Sequence, residues 1–171
     1  MLALLAVVLG GCFGGGKATS QVAGEQGPTQ SVPVVRCAST VFSSRFPVPG
    51  LRVVLDVASV SPAYVKQVVP TDRRPWTYWQ KDPLFTRDGS PPMVISVAKG
   101  WRNRVGITWG DSPIASTLRI RSCPPLVGGA RGWAGGFYLR SRAACVPLIF
   151  RVGSRSATVY FGLGRGCQNA Q

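Results

Sequence analysis

The residues that could carry out catalysis are few in this chain. It contains no histidine, and it has only 6 acidic residues compared with 20 basic ones. Asp72, Asp82 and Asp88 share one segment and are the candidates for the close carboxylate pair that hydrolysis by two carboxylates requires. Acid–base catalysis by histidine is excluded, and carboxylates among so many cations are more simply ion-pair partners. We therefore predict no catalytic residues and a protein that is not an enzyme.

Aromatic and basic residues are interleaved in the segment 71–92, where they could form a binding site. The candidate ligand-binding residues are Arg73, Arg74, Trp76, Tyr78, Trp79 and Lys81. Aromatic rings beside cations can stack on sugars or hold phosphate and carboxylate groups. No helix or strand pattern fits the whole segment, and loops of more than about 15 residues are often functional. The sequence predicts a long loop that binds an anionic glycan or a phospholipid; the alternative is that Trp76 and Trp79 pack back onto the domain.

A second candidate is a set of arginines in a chain whose net charge is +14. The set comprises Arg119, Arg121, Arg140, Arg142, Arg151 and Arg155. Arg119 and Arg121 share one face of a predicted strand, and neighbouring strands could extend it into a basic sheet face that attracts polyanions. The alternative is an ordinary solvated outer face. Trp101 and Trp109, near other arginines, are interpreted as core or edge packing.

The first eleven residues form an uncharged apolar segment that ends in small residues. They are too few to cross a hydrocarbon layer of about 30 Å, which needs roughly 20 helical residues, and they fit a secretory signal peptide. The sequence Leu9-Gly10-Gly11-Cys12 resembles the lipobox of bacterial lipoproteins, in which the cysteine receives a diacylglycerol after cleavage just before it. The resemblance implies that Cys12 is the lipidated first residue of the mature chain. No Lys or Arg precedes it, so we expect the basic part of the signal to lie upstream of Met1.

The other cysteines are Cys37, Cys123, Cys145 and Cys167. An even number in an exported chain indicates two disulfides. Three pairings are possible, and spacing cannot choose among them. The pairing that we expect joins Cys123 to Cys145, near predicted strand ends, and Cys37 to Cys167. No two cysteines are close in sequence and there is no histidine to join them, so no metal or cofactor is expected.

The remaining sequence predicts one all-β domain over residues 34–171, behind a flexible tether that follows Cys12 and ends at residue 33. The tether is rich in Gly, Ser, Thr, Gln and Pro. Short apolar or alternating runs separated by Gly and Pro are typical of strands. The predicted strands are 34–41, 51–60, 64–69, 93–98, 101–109, 117–122, 136–140, 146–152 and 156–163, the last two joined as a hairpin at Gly153-Ser154. This pattern predicts an Ig-like antiparallel β-sandwich; a Greek-key β-barrel is the alternative.

Residues 101–167 are similar to an uncharacterised family of exported proteins and lipoproteins of high-GC Gram-positive bacteria. The motifs that carry the resemblance are Trp133-Ala134-Gly135-Gly136-Phe137, Cys145-Val146-Pro147-Leu148 and the closing Phe161-Gly162 to Cys167. The resemblance implies export and a β-rich fold, and it brings no catalytic residues.

Together these features predict an envelope lipoprotein with a non-catalytic structural or interaction domain. We expect it on the outer face of the cytoplasmic membrane, held by the lipid on Cys12; the alternative is a secreted protein. The expected partners are the membrane, anionic envelope polymers or an acidic protein. No nucleic acid is expected, because the chain is predicted to be exported.

Overall fold

The structure is a computed structural model that describes residues 31–61 and 66–167. The predicted signal peptide, Cys12 and nearly all of the tether lie outside the described residues. The strands are β1 (Val34–Val35), β2 (Phe42–Arg45), β3 (Arg52–Val54), β4 (Ala58–Val60), β5 (Val69–Pro70), β6 (Tyr78–Lys81), β7 (Leu84–Arg87), β8 (Met93–Val97), β9 (Val105–Trp109), β10 (Thr117–Ile120), β11 (Gly129–Trp133), β12 (Gly135–Leu139), β13 (Ala144–Val152) and β14 (Arg155–Leu163). Two 3-10 helices cover Cys37–Ser39 and Lys99–Trp101. Within the described ranges, no helix has the length and apolar character needed to span a membrane.

The strands form three sheets. Sheet A has the order β1-β10-β8-β13-β14, sheet B the order β2-β11-β7-β4-β3, and sheet C the order β5-β6-β12-β9. Every strand pair is antiparallel except β1 with β10. The sheets are open rather than closed into a barrel. The predicted all-β antiparallel sandwich is confirmed.

One apolar core lies among the three sheets. Each sheet turns alternate residues inward, as the two-residue period of a strand requires. Phe150 of sheet A, Trp133 of sheet B and Phe137 of sheet C are all fully buried in the same cluster. Trp109 is buried and Trp101 packs against this core, so the packing role predicted for both is confirmed.

The hairpin of β13 and β14 is also confirmed. Its nine residue pairs run without interruption from Val152 and Arg155 to Ala144 and Leu163. Gly153 has φ of 57° at the turn, a conformation that favours glycine. Alternating apolar residues and a recognisable turn made this hairpin predictable.

The single strand predicted over 51–60 is wrong, because the chain reverses there. Leu55 and Asp56 have φ of 51° and 58° between β3 and β4, and Val57 N donates to Val54 O at 3.1 Å. Two successive positive φ values suit the two central residues of a tight β-turn, and the strands pair again from Val54 and Ala58, across a three-residue connection. The reversal also changes which side chains face the core. Val54 is buried, whereas Val53, which a single strand would place on the apolar face, is 40% exposed.

The long loop predicted over 71–92 is also wrong. It contains β6 in sheet C and β7 in sheet B, joined by a corner at Asp82 and Pro83. A second corner at Ala134 carries the chain from β11 in sheet B to β12 in sheet C. The corners lie side by side, since Asp82 N donates to Gly135 O at 2.7 Å. Side-chain alternation is interrupted where a chain changes sheets. For this reason the sequence pattern did not predict β6, β7 or the glycine-rich β11.

Other boundaries differ near the start of the domain. The strand predicted over 34–41 is two residues of β1 followed by a 3-10 helix, and β2 was not predicted. Of the strand predicted over 64–69, residues 64 and 65 lie outside the described residues; β5 begins only at Val69.

Two disulfides are present, but the pairing expected from the sequence is wrong. Cys37 bonds to Cys123 and Cys145 bonds to Cys167, with Cα–Cα distances of 5.7 and 5.1 Å. The parallel pairing of β1 with β10 brings the residues that follow both strands to the same end of sheet A, where Cys37 meets Cys123. Cys145 lies opposite Gly162 in the β13–β14 ladder, and the chain beyond β14 turns back to it.

Candidate functional site

Sheet C presents an aromatic pair on the face that points away from the core. Trp79 of β6 lies directly opposite Tyr138 of β12. Their ring centroids are 6.4 Å apart, and the ring planes are within 27° of parallel. Both rings are partly exposed, so they offer a shallow, flat surface to solvent.

A third aromatic residue extends this surface across the sheet. Trp76 packs over Gly106, the residue of β9 that lies opposite Tyr138. The Arg140 guanidinium lies 5.8 Å from the centre of the Trp76 ring. A side chain at Gly106 would collide with Ile114 and Trp76, which both cover this glycine, so the absence of a side chain lets them lie against the sheet.

Two cations border the aromatic residues. Lys81 is exposed and lies two residues after Trp79 on β6, so both side chains are on the same face of the sheet. Its partner on β12 is Gly136, which has no side chain to separate the lysine from β9. Arg140 is exposed just after β12. We call the set Trp76, Trp79, Lys81, Tyr138 and Arg140 the aromatic–basic surface. Flat rings can stack on the apolar faces of sugars, while Lys and Arg can hold phosphate or carboxylate groups.

The sequence identified part of this surface and missed the rest. Trp76, Trp79 and Lys81 belong to it, and each Trp packs against the sheet while keeping part of its ring in solvent. Tyr78 lies opposite buried Leu139 and packs against the core. The local alternation of β12 could have suggested Tyr138, but its position beside Trp79 follows only from the pairing of β6 with β12.

Arg73 and Arg74 lie outside the paired strands of this surface. Both are exposed, in the turn that precedes β6. The structure therefore separates the six predicted ligand-binding residues into three on the surface, two beside it and one, Tyr78, that packs against the core.

The predicted arginine set is divided among several places. Arg119 and Arg151 lie on either side of Val94 in one row across sheet A, and Arg121 follows β10. Arg155 instead donates to Leu55 O at 3.1 Å and lies 3.6 Å from Asp56. The predicted basic sheet face thus contains fewer arginines than the sequence suggested, because Arg140 belongs to sheet C and Arg142 follows β12 in the chain.

The three carboxylates considered for hydrolysis are separated by their partners. Asp82 is buried in an ion pair with Lys66. The Asp88 carboxylate accepts from Arg131 Nε and from Leu126 N, at 2.9 and 2.8 Å. Asp72 is exposed in a turn. Asp82 and Asp88 each neutralise a different buried cation, so they do not form the carboxylate pair that was considered.

Asp82 joins all three sheets. Its carboxylate accepts from Ser61, at the end of β4 in sheet B, and from the Lys66 ammonium. The Lys66 backbone binds the end of β14 in sheet A, where its N–H donates to Gly162 O at 2.9 Å. Trp109 of sheet C donates its indole N–H to Asp82 O at 2.8 Å. Desolvation lowers the pKa of Lys66 from its usual 10.5, and the nearby Asp82 charge opposes that shift.

A pocket of about 400 Å³ opens beside Lys66. Its lining residues are Lys66, Gln67, Val68, Arg142, Ala143 and Gly164. Because the Lys66 ammonium is held by Asp82, Arg142 is the other cationic group of this lining. The pocket has the character of a small basic cleft next to the buried ion pair.

Metal coordination has no candidate cluster among residues 31–61 and 66–167. No group of three or more His, Cys, Asp or Glu side chains is close enough there to hold an ion. The four cysteines of these ranges are all oxidised to disulfides, so they do not offer the thiolates that zinc binds.

Comparison with known proteins adds no relative: no family model, curated protein or solved structure matches this chain. Its function must be argued from its own residues.

Proposed function

We propose that this protein is a lipoprotein anchored on the outer face of the cytoplasmic membrane, with a β domain that does non-catalytic structural or interaction work. The observation that carries the proposal is the distribution of its cysteines. The chain has 5 cysteines, and four of them form Cys37–Cys123 and Cys145–Cys167. Cys12 is left without a cysteine partner in its own chain, within a sequence that resembles a lipobox.

Two further observations support export and anchoring. Structural disulfides persist in oxidising compartments and are rare in the cytosol. Acyl chains contribute about 0.8 kcal/mol per buried methylene, and stable anchoring usually needs more than one chain. A diacylglycerol on Cys12 meets that requirement.

Intact-mass analysis of the membrane fraction tests this proposal. We expect a chain that begins at Cys12, carries the mass of a diacylglycerol or a triacylated cysteine, and has lost four hydrogens to two disulfides. Cys12→Ser should remove the acyl mass and release the protein from membranes. A soluble mature chain with a free thiol at Cys12 would contradict the proposal.

A second candidate function is favoured by the aromatic–basic surface. The parallel rings of Trp79 and Tyr138 beside Lys81 and Arg140 suit an anionic glycan, whose sugar rings would stack while its charged groups met the cations. Contacts between aromatic rings contribute about 0.5–1.5 kcal/mol beyond the area they bury, and we expect a contact of similar size between Trp79 and a sugar ring, so loss of the ring should be measurable.

We therefore expect Trp79→Ala to weaken binding to a purified phosphorylated wall polymer by about fivefold or more. Tyr160→Ala is the matched control, because Tyr160 is an aromatic residue of sheet A that is 39% exposed. Binding can be measured by co-sedimentation with the insoluble polymer. Equal retention of the wild type and Trp79→Ala would remove this second candidate.

A further inference from the structure

The outer face of sheet A carries an uncompensated row of positive charge. Val34, Arg119, Val94, Arg151 and Ser156 lie opposite one another on the five consecutive strands. Both arginines are exposed. Neither they nor Arg121, which follows β10 on the same side, forms a salt bridge with any residue of the described ranges.

This charge is not balanced within the sheet. None of the five strands of sheet A contains an Asp or a Glu. In the described part of the chain, four cations are paired with Asp56, Asp82, Asp88 and Asp111, and one of these cations, Arg155, begins β14 of sheet A. Arg45 and Arg52 of sheet B are likewise exposed and form no salt bridge within the described ranges. Charge alone therefore does not single out sheet A, and the entry of the tether at its edge does.

Exposed apolar residues accompany these arginines. Val32 and Val34 are each 39% exposed at the edge of the sheet, and Tyr160 of β14 is 39% exposed on the same outer face. Arginine together with exposed aliphatic and tyrosine side chains is the composition that suits the polar boundary of a bilayer, where chains meet charged headgroups.

The tether ends on this face. Pro33, its last residue, accepts from Arg119 N at 2.9 Å, and β1 begins at the next residue as the edge strand of sheet A. The sequence predicts a flexible tether between Cys12 and Pro33, and a flexible chain of about twenty residues has a root-mean-square reach of about 25 Å. A lipid on Cys12 would therefore keep the arginine row within a few tens of ångströms of the membrane. Binding of these arginines to the headgroups would then be an intramolecular step, favoured by a high effective concentration.

We propose that the outer face of sheet A docks onto anionic phospholipid headgroups of the membrane that holds the anchor. Arg119, Arg121 and Arg151 bind headgroup phosphates, while Val34 and Tyr160 enter the interfacial layer. This inference rests on the lipid anchor of the proposed function. It adds a fixed orientation, in which sheet A faces the bilayer.

Arginine footprinting of the complete lipidated protein tests the orientation. The protein is reconstituted into vesicles of phosphatidylglycerol mixed with phosphatidylcholine, and into vesicles of phosphatidylcholine alone. An arginine-specific dicarbonyl reagent is added, and each site is quantified by mass spectrometry. We expect modification of Arg119 and Arg151 to slow by about fivefold in the anionic vesicles, since each cation near an anionic surface gains about that factor, and high salt should reverse the effect.

Exposed Arg45 and Arg52 of sheet B are internal controls in the same molecule and should react equally in both vesicle types. The double variant Arg119→Gln/Arg151→Gln should lose the protection of Arg121, whereas Arg45→Gln/Arg52→Gln should keep it. Equal modification of Arg119 and Arg151 in both vesicles would overturn the proposal. The proposal would also be overturned if anionic vesicles protected Arg45 and Arg52 as strongly as Arg119 and Arg151. The same holds if soluble wall polymer protected Arg119 and Arg151 in the absence of anionic lipid. A missing acyl group is detected separately by intact mass, so failure of the anchor and failure of the docking face are distinguishable.

Discussion

At the scale of single residues, Asp82 has the most consequential environment. Its carboxylate and backbone connect Ser61, Lys66 and Trp109, and through them strands of all three sheets. The side chains of Lys66 and Asp82 are only 5% and 3% exposed. Such a pair is weak evidence for net stabilisation, but removal of one partner leaves a buried charge without compensation.

We therefore expect Lys66→Met to reduce the free energy of unfolding by roughly 3–5 kcal/mol. Adding Asp82→Asn should recover more than half of that loss, because the amide is neutral and its carbonyl can still accept from Ser61. Urea unfolding without reductant measures both values. A single variant as stable as the wild type would contradict the prediction.

The exposed pair of Arg36 and Asp111 is the matched control. The Arg36 side chain is 69% exposed, and an ion pair in solvent contributes little to stability because water and salt screen it. Partial desolvation raises the pKa of Asp111, but hydrogen bonds from Arg36 and Ser39 outweigh it and hold that pKa below 3.8. The stabilisation by Asp111 is thus present above pH 3.8 and is lost as the pH falls through the lowered value. Arg36→Gln at neutral pH should have a small effect.

At the scale of elements, side-chain alternation predicted the long strands best and did not predict the strands that lead into a corner between sheets. β13 and β14 alternate over nine residues each and were found. Asp82-Pro83 and Ala134 carry the chain between sheets within one or two residues, and neither corner has a local signature that separates it from a loop. The local pattern of β6 therefore suggested Trp79 and Lys81 as site residues, whereas Tyr138 and Arg140 required a pairing between distant segments.

Substitution of Gly106 in β9 tests whether Trp76 of the aromatic–basic surface packs against sheet C at this position. A Cβ atom there would collide with Ile114 and lie 2.9 Å from the Trp76 ring. We expect Gly106→Ala to displace Trp76 and to destabilise the fold by about 1–3 kcal/mol, the usual cost of overpacking. The urea midpoint and tryptophan fluorescence together measure the effect.

Gly100→Ala is the control for this substitution, since no atom lies within 4 Å of the added methyl position. It should leave the fluorescence spectrum unchanged and alter stability by less than about 1 kcal/mol. If both variants behaved alike, Trp76 would not be held against the sheet at Gly106.

At the scale of the whole molecule, the two disulfides differ in how much chain they enclose. Cys37–Cys123 spans 86 residues and Cys145–Cys167 spans 22. Local spacing could not reveal this pairing, because it depends on the parallel contact of β1 with β10. The even number of cysteines predicted two bridges, but their partners are a property of the topology.

Loss of the longer bridge should cost more, because the entropy of closing a loop in the unfolded chain grows with its length. We expect Cys37→Ala/Cys123→Ala to be about 1 kcal/mol less stable than Cys145→Ala/Cys167→Ala. Chemical denaturation of the two double variants, compared with the wild type, measures the difference. An equal loss in both would show that chain entropy does not dominate.

The position of the longer bridge also determines how the domain responds to mechanical load. A pull on the tether acts first on β1, a two-residue strand at the edge of sheet A. Only Arg36 lies between the end of β1 and Cys37, which is bonded covalently to Cys123 beyond β10. After peeling those few residues, tension would pass through sulfur into the neighbouring strand. The bridge would therefore limit unravelling of the fold from the N-terminal end of the domain.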